Sequence, residues 1–207
     1  PRTFAVAVCP PVLRAFARRH PDVTLELDLN DAVTDPAHGG WDAAIRIGPL
    51  PDGDLRARLL GEVRGVLVAA SSYLAERPEP TPETLARDHC GLVFRSPSFD
   101  AAWEMLGPDG APKTFELPVA LSANDLSMLR EAALQGFGVA RLPRYLVADD
   151  LGAGRLMQVL PGWTTRPRKV HALHPAGRRV AARVRVFLDQ VAHVLHVVNL
   201  DTMSPRG

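Results

Sequence analysis

The run Trp41-Asp42-Ala43-Ala44-Ile45-Arg46-Ile47-Gly48-Pro49-Leu50-Pro51 constrains this chain more than any other. Ala43 to Ile47 reads as a buried strand, and Gly48-Pro49-Leu50-Pro51 reads as the turn that stops it. A strand that stops in this way leaves backbone N–H and C=O groups bare at its carboxyl end. In open α/β sheets that end is where ligands sit.

The rest of the chain alternates between the two periodicities. Pro11 to His20 carries Val12, Leu13 and Phe16 at helical spacing. Val23, Leu25, Leu27 and Leu29 alternate with Thr24, Glu26 and Asp28, the pattern of a half-buried strand. Asn30 to Gly40 is turn-rich. Leu55–Leu60 and Val63–Ala70 read as strands broken at Gly61. Ser71 and Thr81-Pro82-Glu83 are helix-start signals. Gly91–Phe94 reads as a short strand, and Trp103–Leu106 with Thr114–Val119 as a hairpin. Asn124 is expected to cap a helix that holds Asp125 in its first turn and ends at Gly136. Gly138–Leu142, Leu156–Leu160 and Val170–Leu173 read as strands. Pro143 opens a helix to about Gly154, and Val180–Val191 is amphipathic. Strands alternating with helices predict an α/β protein with mostly parallel sheets. Pro161–Pro167 is a candidate crossover between lobes, and residues 201–207 read as a loose tail.

Composition narrows the function classes. The formal net charge is +1, so this chain lacks the basic excess of a nucleic-acid module. No apolar run approaches a membrane span. No secretion signal is evident either, so Cys9 and Cys90 read as reduced cytosolic thiols. His171 and His174 are three apart on a strand and point to opposite faces. His193 and His196 are three apart on a helix but lack further ligands, so no metal is expected. No nucleophile elbow, P-loop or dinucleotide fingerprint is present, and neither an enzyme nor a cofactor is expected.

Several segments resemble the LysR-type transcriptional regulators, in the same order. They include Pro10-Pro11-Val12-Leu13-Arg14-Ala15-Phe16, Asp42-Ala43-Ala44-Ile45-Arg46-Ile47-Gly48, Val68-Ala69-Ala70-Ser71-Ser72-Tyr73-Leu74 and Gly136-Phe137-Gly138-Val139-Ala140-Arg141-Leu142-Pro143. The resemblance covers residues 1 to about 195. It implies the effector-binding domain of that family, with a two-lobed periplasmic-binding-protein-like (type 2) fold. Lobe I would span 1–70 and 167–200, and lobe II 71–166, joined by crossovers near Ala69-Ala70 and Pro167–Lys169. It implies a small-molecule effector between the lobes. It also implies an antiparallel dimer, a tetramer in the full-length cytoplasmic protein, and DNA contact only through a winged helix-turn-helix that this chain does not contain. In the family a first strand precedes the position of Pro1. By propensity Phe4–Val8 reads as strand; by the resemblance it starts the first helix, which is preferred.

The same resemblance selects the candidate effector residues. Arg2, Thr3, Gly48 and Pro49 come from lobe I, and Arg95, Ser96, Ser98, Asn124, Phe137 and Gly138 from lobe II. Helix amino ends, hydroxyls and an Arg fork suit an anionic or polar metabolite. Thr3, Ser96 and Asn124 are equally good helix caps. Asp125 would repel an anion, and Arg46 reads as a salt-bridged strand residue. A solute-binding protein of a transport system is the alternative on the same fold.

Overall fold

The computed structural model describes residues 1–30, 40–50, 55–95, 102–175 and 180–200. The chain divides into two compact units: Pro1–Val63 with Arg168–Gly207, and Arg64–Pro167. The chain therefore leaves unit 1 after Val63, seven residues before the expected switch at 70. The strand Gly65–Ala70 belongs to unit 2, because its ladder partners lie there.

Unit 1 contains α1 (Arg2–Arg19), β1 (Ala44–Ile47), β2 (Leu55–Val63), β10 (Arg168–Pro175) and α6 (Ala182–Leu200). Phe4, Val8, Val12 and Phe16 fall every four residues and are all buried, which makes Phe4–Val8 the first turns of a helix. Pro10 and Pro11 sit inside α1, and an interior proline costs roughly 3 kcal/mol. Two such prolines cost about 6 kcal/mol, and four buried apolar side chains at about 1.5–3 kcal/mol each, about 6–12 in all, offset that. Phe16 meets Phe187 of α6 edge-on, with ring centroids 5.5 Å apart. The sheet has the order β1-β10-β2, and both pairs are antiparallel. Gly61 is inside β2 rather than at a break: the register shifts opposite it, and a Cβ there would lie 2.8 Å from Leu195 of α6. The break falls instead at Arg64.

Residues 23–30 form no strand among the described residues, and Leu25, Leu27 and Leu29 are exposed. Alternation defines a face but supplies no neighbour, and a lone strand is not stable. Phe4–Val8, being helical, does not supply one.

Unit 2 contains β3 (Gly65–Ala70), α2 (Ser71–Ala75), α3 (Leu85–Asp88), β4 (Gly91–Phe94), β5 (Trp103–Leu106), β6 (Pro112–Phe115), β7 (Val119–Ala123), α4 (Leu126–Leu134), β8 (Val139–Pro143), α5 (Arg144–Gly152) and β9 (Leu156–Val159). Five strands form one sheet in the order β7-β4-β8-β3-β9, and β5 pairs with β6 in a hairpin whose second strand ends at Phe115 rather than at the expected Val119, which instead opens β7. β4 runs parallel to β7 and β8, whereas β8-β3 and β3-β9 are antiparallel. The expectation of mostly parallel sheets thus holds around β4 and fails at the other described pairs. β3 enters from unit 1 and runs back against its neighbours.

β3 is apolar throughout because both its faces are covered. Leu67 and Ala69 pack with Tyr73, Leu85, Trp103 and Phe115, while Val66 and Val68 pack with Leu129, Leu142 and Val147. One charged group is fully buried on the second side. Asp150 of α5 accepts bonds from Arg130 Nε at 2.6 Å and Nη2 at 2.9 Å, and from Arg155 Nε at 2.9 Å. This ties α4, α5 and the start of β9 together.

Candidate functional site

In unit 1 the chain leaves β1 at Gly48, whose φ is 101°. The Gly48 N–H donates to the Lys169 carbonyl at 2.9 Å, and a Cβ there would lie 2.6 Å from Arg168 Nη2. The positive φ favours glycine, whereas the flexible Arg168 tip could move aside for a Cβ. Arg168 Nη2 donates to the Ile47 carbonyl at 3.4 Å, and Arg46 Nε to the Pro49 carbonyl at 2.6 Å. Arg46 therefore clamps the turn rather than a carboxylate, which corrects the salt-bridge expectation. Two guanidiniums converge on the carboxyl end of β1. Val63 pairs with Arg168 at this same end, where the chain leaves unit 1 and returns to it. Gly48→Ala is expected to cost about 1–3 kcal/mol through backbone strain and to dislodge Arg168. A urea midpoint unchanged from wild type would contradict this.

Arg2 and Thr3 open α1. The cap position is Pro1, with no side-chain cap bond, so Thr3 is not the cap. Thr3 is buried on the helix's inner face.

In unit 2 two candidate residues come together. β4 and β7 run parallel in register, so their carboxyl ends coincide, and the Arg95 N–H donates to the Ala123 carbonyl at 2.8 Å. Arg95 and Asn124 thus follow neighbouring strand ends. Asn124 does not cap the helix. Asp125 is the N-cap of α4 and accepts from the Met128 N–H at 2.9 Å. A carboxylate already occupies that amino end, which makes it a poorer anion site than its position suggests.

The opposite end of the sheet holds Phe137 and Gly138. They precede β8, whose first residue Val139 pairs with Gly91 at the amino end of β4. The strand direction separates them from Arg95 and Asn124 and so corrects their expected place. Gly138 presses against Cys90, where a Cβ would lie 2.7 Å from the carbonyl oxygen. Its role is close packing. Ser96 and Ser98 lie outside the described residues.

The carboxyl end of β8 adds residues that pattern reading missed. Arg144 opens α5, and its N–H donates to the Arg64 carbonyl at 2.9 Å. Its Nη1 donates to Gln158 Oε1 at 3.1 Å, and its Nε is buried with no hydrogen-bond partner among the described residues. Burial holds its pKa below the usual arginine value. Thr165 Oγ1 accepts from the Gly65 N–H at 2.8 Å, so the chain's exit lies beside its entry. No sequence motif marked Arg144 or Thr165. Arg46 stood in view only as a salt-bridged strand residue, and Arg168 only as part of the second crossover.

Each unit, taken alone, thus places guanidiniums at the sheet end where the chain crosses. Such an array can hold an anion. Among the described residues no group of three or more His, Cys, Asp or Glu could hold a metal ion.

Two sheet-centred α/β units joined by two chain crossings, with donors gathered at the crossing ends, define a two-lobed domain like the periplasmic binding proteins. The LysR substrate binding domain model matches residues 1–195, and the chain belongs to that family as a regulatory, effector-binding domain. It is 31% identical over 198 residues to the uncharacterized HTH-type transcriptional regulator YhjC of Escherichia coli, covering 94% of this chain and 66% of the relative. It is 33% identical to the HTH-type regulator PtxR of Pseudomonas aeruginosa, covering 87% and 57%. Its fold matches CrgA, a LysR-type regulator from Neisseria meningitidis, with a TM-score of 0.79 and 29% identity over 93% of this chain and 65% of that one. The regulatory domain of AphB from Vibrio vulnificus matches with a TM-score of 0.74 and 28% identity over 93% and 95%. The chain spans about two thirds of the length of the E. coli relative and less of the P. aeruginosa one. No described helix is long and apolar enough to cross a membrane.

Proposed function

We propose that this domain senses a small anionic or polar metabolite for a transcription factor and pairs with a second copy of itself. The observation that carries the sensing role is, within unit 1, the convergence of Arg46 and Arg168 on the Gly48 turn. Binding need only favour one arrangement of the lobes over another to change the regulator. DNA contact belongs to the helix-turn-helix part of the longer protein. The relatives bear the names of transcriptional regulators rather than transport proteins, which favours this reading over the solute-binding alternative.

Pairing is supported by exposed apolar side chains in both units. Leu25, Leu27 and Leu29 lie in a segment of unit 1 that forms no ladder among the described residues. Val119, on the edge strand β7, and Met128, on α4, are exposed in unit 2. Antiparallel pairing of unit 1 of one copy with unit 2 of the other would cover both.

A thermal-shift screen against small carboxylates, phenols and amino acids tests the sensing role. A ligand at about a hundred times its Kd should stabilise the fold by roughly 2.7 kcal/mol. The shift should vanish in Arg168→Ala. A hit that survives this substitution would place the ligand elsewhere and remove this site.

A further inference from the structure

Within unit 2, a buried titratable side chain ties down the wall of a groove. His89, which follows α3, is 3% exposed. Its Nε2 lies 3.1 Å from the Pro78 carbonyl oxygen, and its Nδ1 is buried with no partner among the described residues. A carbonyl can only accept, so Nε2 carries a proton, and Nδ1, buried with no acceptor among the described residues, is the bare nitrogen of a neutral ring. Pro78 belongs to the connection between α2 and α3. Arg77 and Pro80 of that connection, with Leu74, Met157 and Leu160, line a groove of about 310 Å³.

The charged and titratable groups around the ring are few. Tyr73 of α2 lies 5.7 Å away, ring to ring, and its hydroxyl accepts the Cys90 N–H at 3.1 Å. The Arg77 guanidinium stacks on Tyr73 at 4.6 Å from the centroid. Asp88 of α3 is held by Arg87 through two bonds of 2.8 Å. Burial pulls the His89 pKa down, and Arg77 adds to that. The Pro78 carbonyl and Asp88 oppose it without reversing it.

We propose that His89 is an acid-released latch that holds the Arg77–Pro80 wall of this groove closed at neutral pH. A second proton would sit on Nδ1 with no acceptor, in a buried site near Arg77. The ring escapes by swinging out to water, which breaks the tie to Pro78. The sign follows from the lowered folded-state pKa. Above about pH 6.5, the ordinary histidine value, the ring is neutral whether the latch is open or closed, and the latch is at full strength. Below it the open form takes the proton first, so the latch weakens until the pH reaches the folded-state value.

Hydrogen exchange of the intact chain between pH 8 and 5.5, corrected for intrinsic rates, reads the latch directly. In the wild type, protection of residues 74–81 should fall by up to about tenfold per pH unit below the ordinary histidine pKa, while β3 keeps its protection. His89→Gln keeps an amide donor for the Pro78 carbonyl but does not titrate, so its protection should not change with pH. Arg77→Gln removes an exposed cation and leaves the core intact. It should raise the ring's pKa, read by NMR, and shrink the fall. An equal fall in His89→Gln, no fall in the wild type, or a fall shared equally by β3 would overturn the latch. If His89→Gln does not fold, an unshrunk fall in Arg77→Gln would overturn it by itself.

Discussion

Replacing Asp150 with alanine is expected to cost about 3 kcal/mol of stability, read as a lowered urea midpoint at unchanged slope. Asp150 is 0% exposed and accepts bonds from both Arg130 and Arg155. Removing one member of a buried ion pair usually costs about 3–5 kcal/mol, because the survivor stays charged and buried. Here the survivors are partly exposed, at 26% for Arg130 and 54% for Arg155. They regain water, which sets the estimate at the lower end. Asp150→Asn keeps an acceptor and should cost less. A loss below about 1 kcal/mol in Asp150→Ala would reduce the cluster to the worth of a surface pair.

The second large effect separates folding from pairing. Phe16→Ala should cost about 3–5 kcal/mol, since it empties a fully buried ring site between α1 and α6. Leu27→Glu should leave stability within about 0.5 kcal/mol, as a surface substitution does. Leu27 is 46% exposed, and a charge there should move sedimentation from paired chains toward single ones. Undiminished self-association in Leu27→Glu would exclude this face from the interface.

Most of unit 2 was legible in the sequence because its signals are local. The β5–β6 hairpin, α4 and β8 carry their own turn residues and periodicity. The segment 23–30 was misread for the opposite reason. Its alternation is clean, but strand formation depends on a neighbour, and none of the described strands pairs with it, although β1 and β2 each have only one ladder partner. The first crossover was misplaced because β3 is apolar on both faces, so nothing in Val63–Ala70 says which sheet it joins. The Gly48 turn was legible, since only glycine suits a positive φ there. The guanidiniums around it were not, because Arg168 reaches it across more than a hundred residues of chain. Phe137 and Gly138 were grouped with Arg95 and Asn124, although strand direction alone already separates the two pairs. Gly138 precedes β8, and the amino end of a parallel strand lies away from the carboxyl ends where Arg95 and Asn124 sit.

The strand that completes unit 1 is also the one that the ribosome delivers late. Unit 2 is continuous in the chain, from Arg64 to Pro167, whereas unit 1 resumes only at Arg168. β10 lies between β1 and β2, so the sheet of unit 1 has a vacant middle throughout the translation of unit 2. The apolar face of α1 waits longer still, for Phe187. α1 is therefore made before unit 2 but buried only after it, and while unit 2 is being translated the nascent chain displays Phe4, Val8, Val12 and Phe16 as a natural landing place for a chaperone.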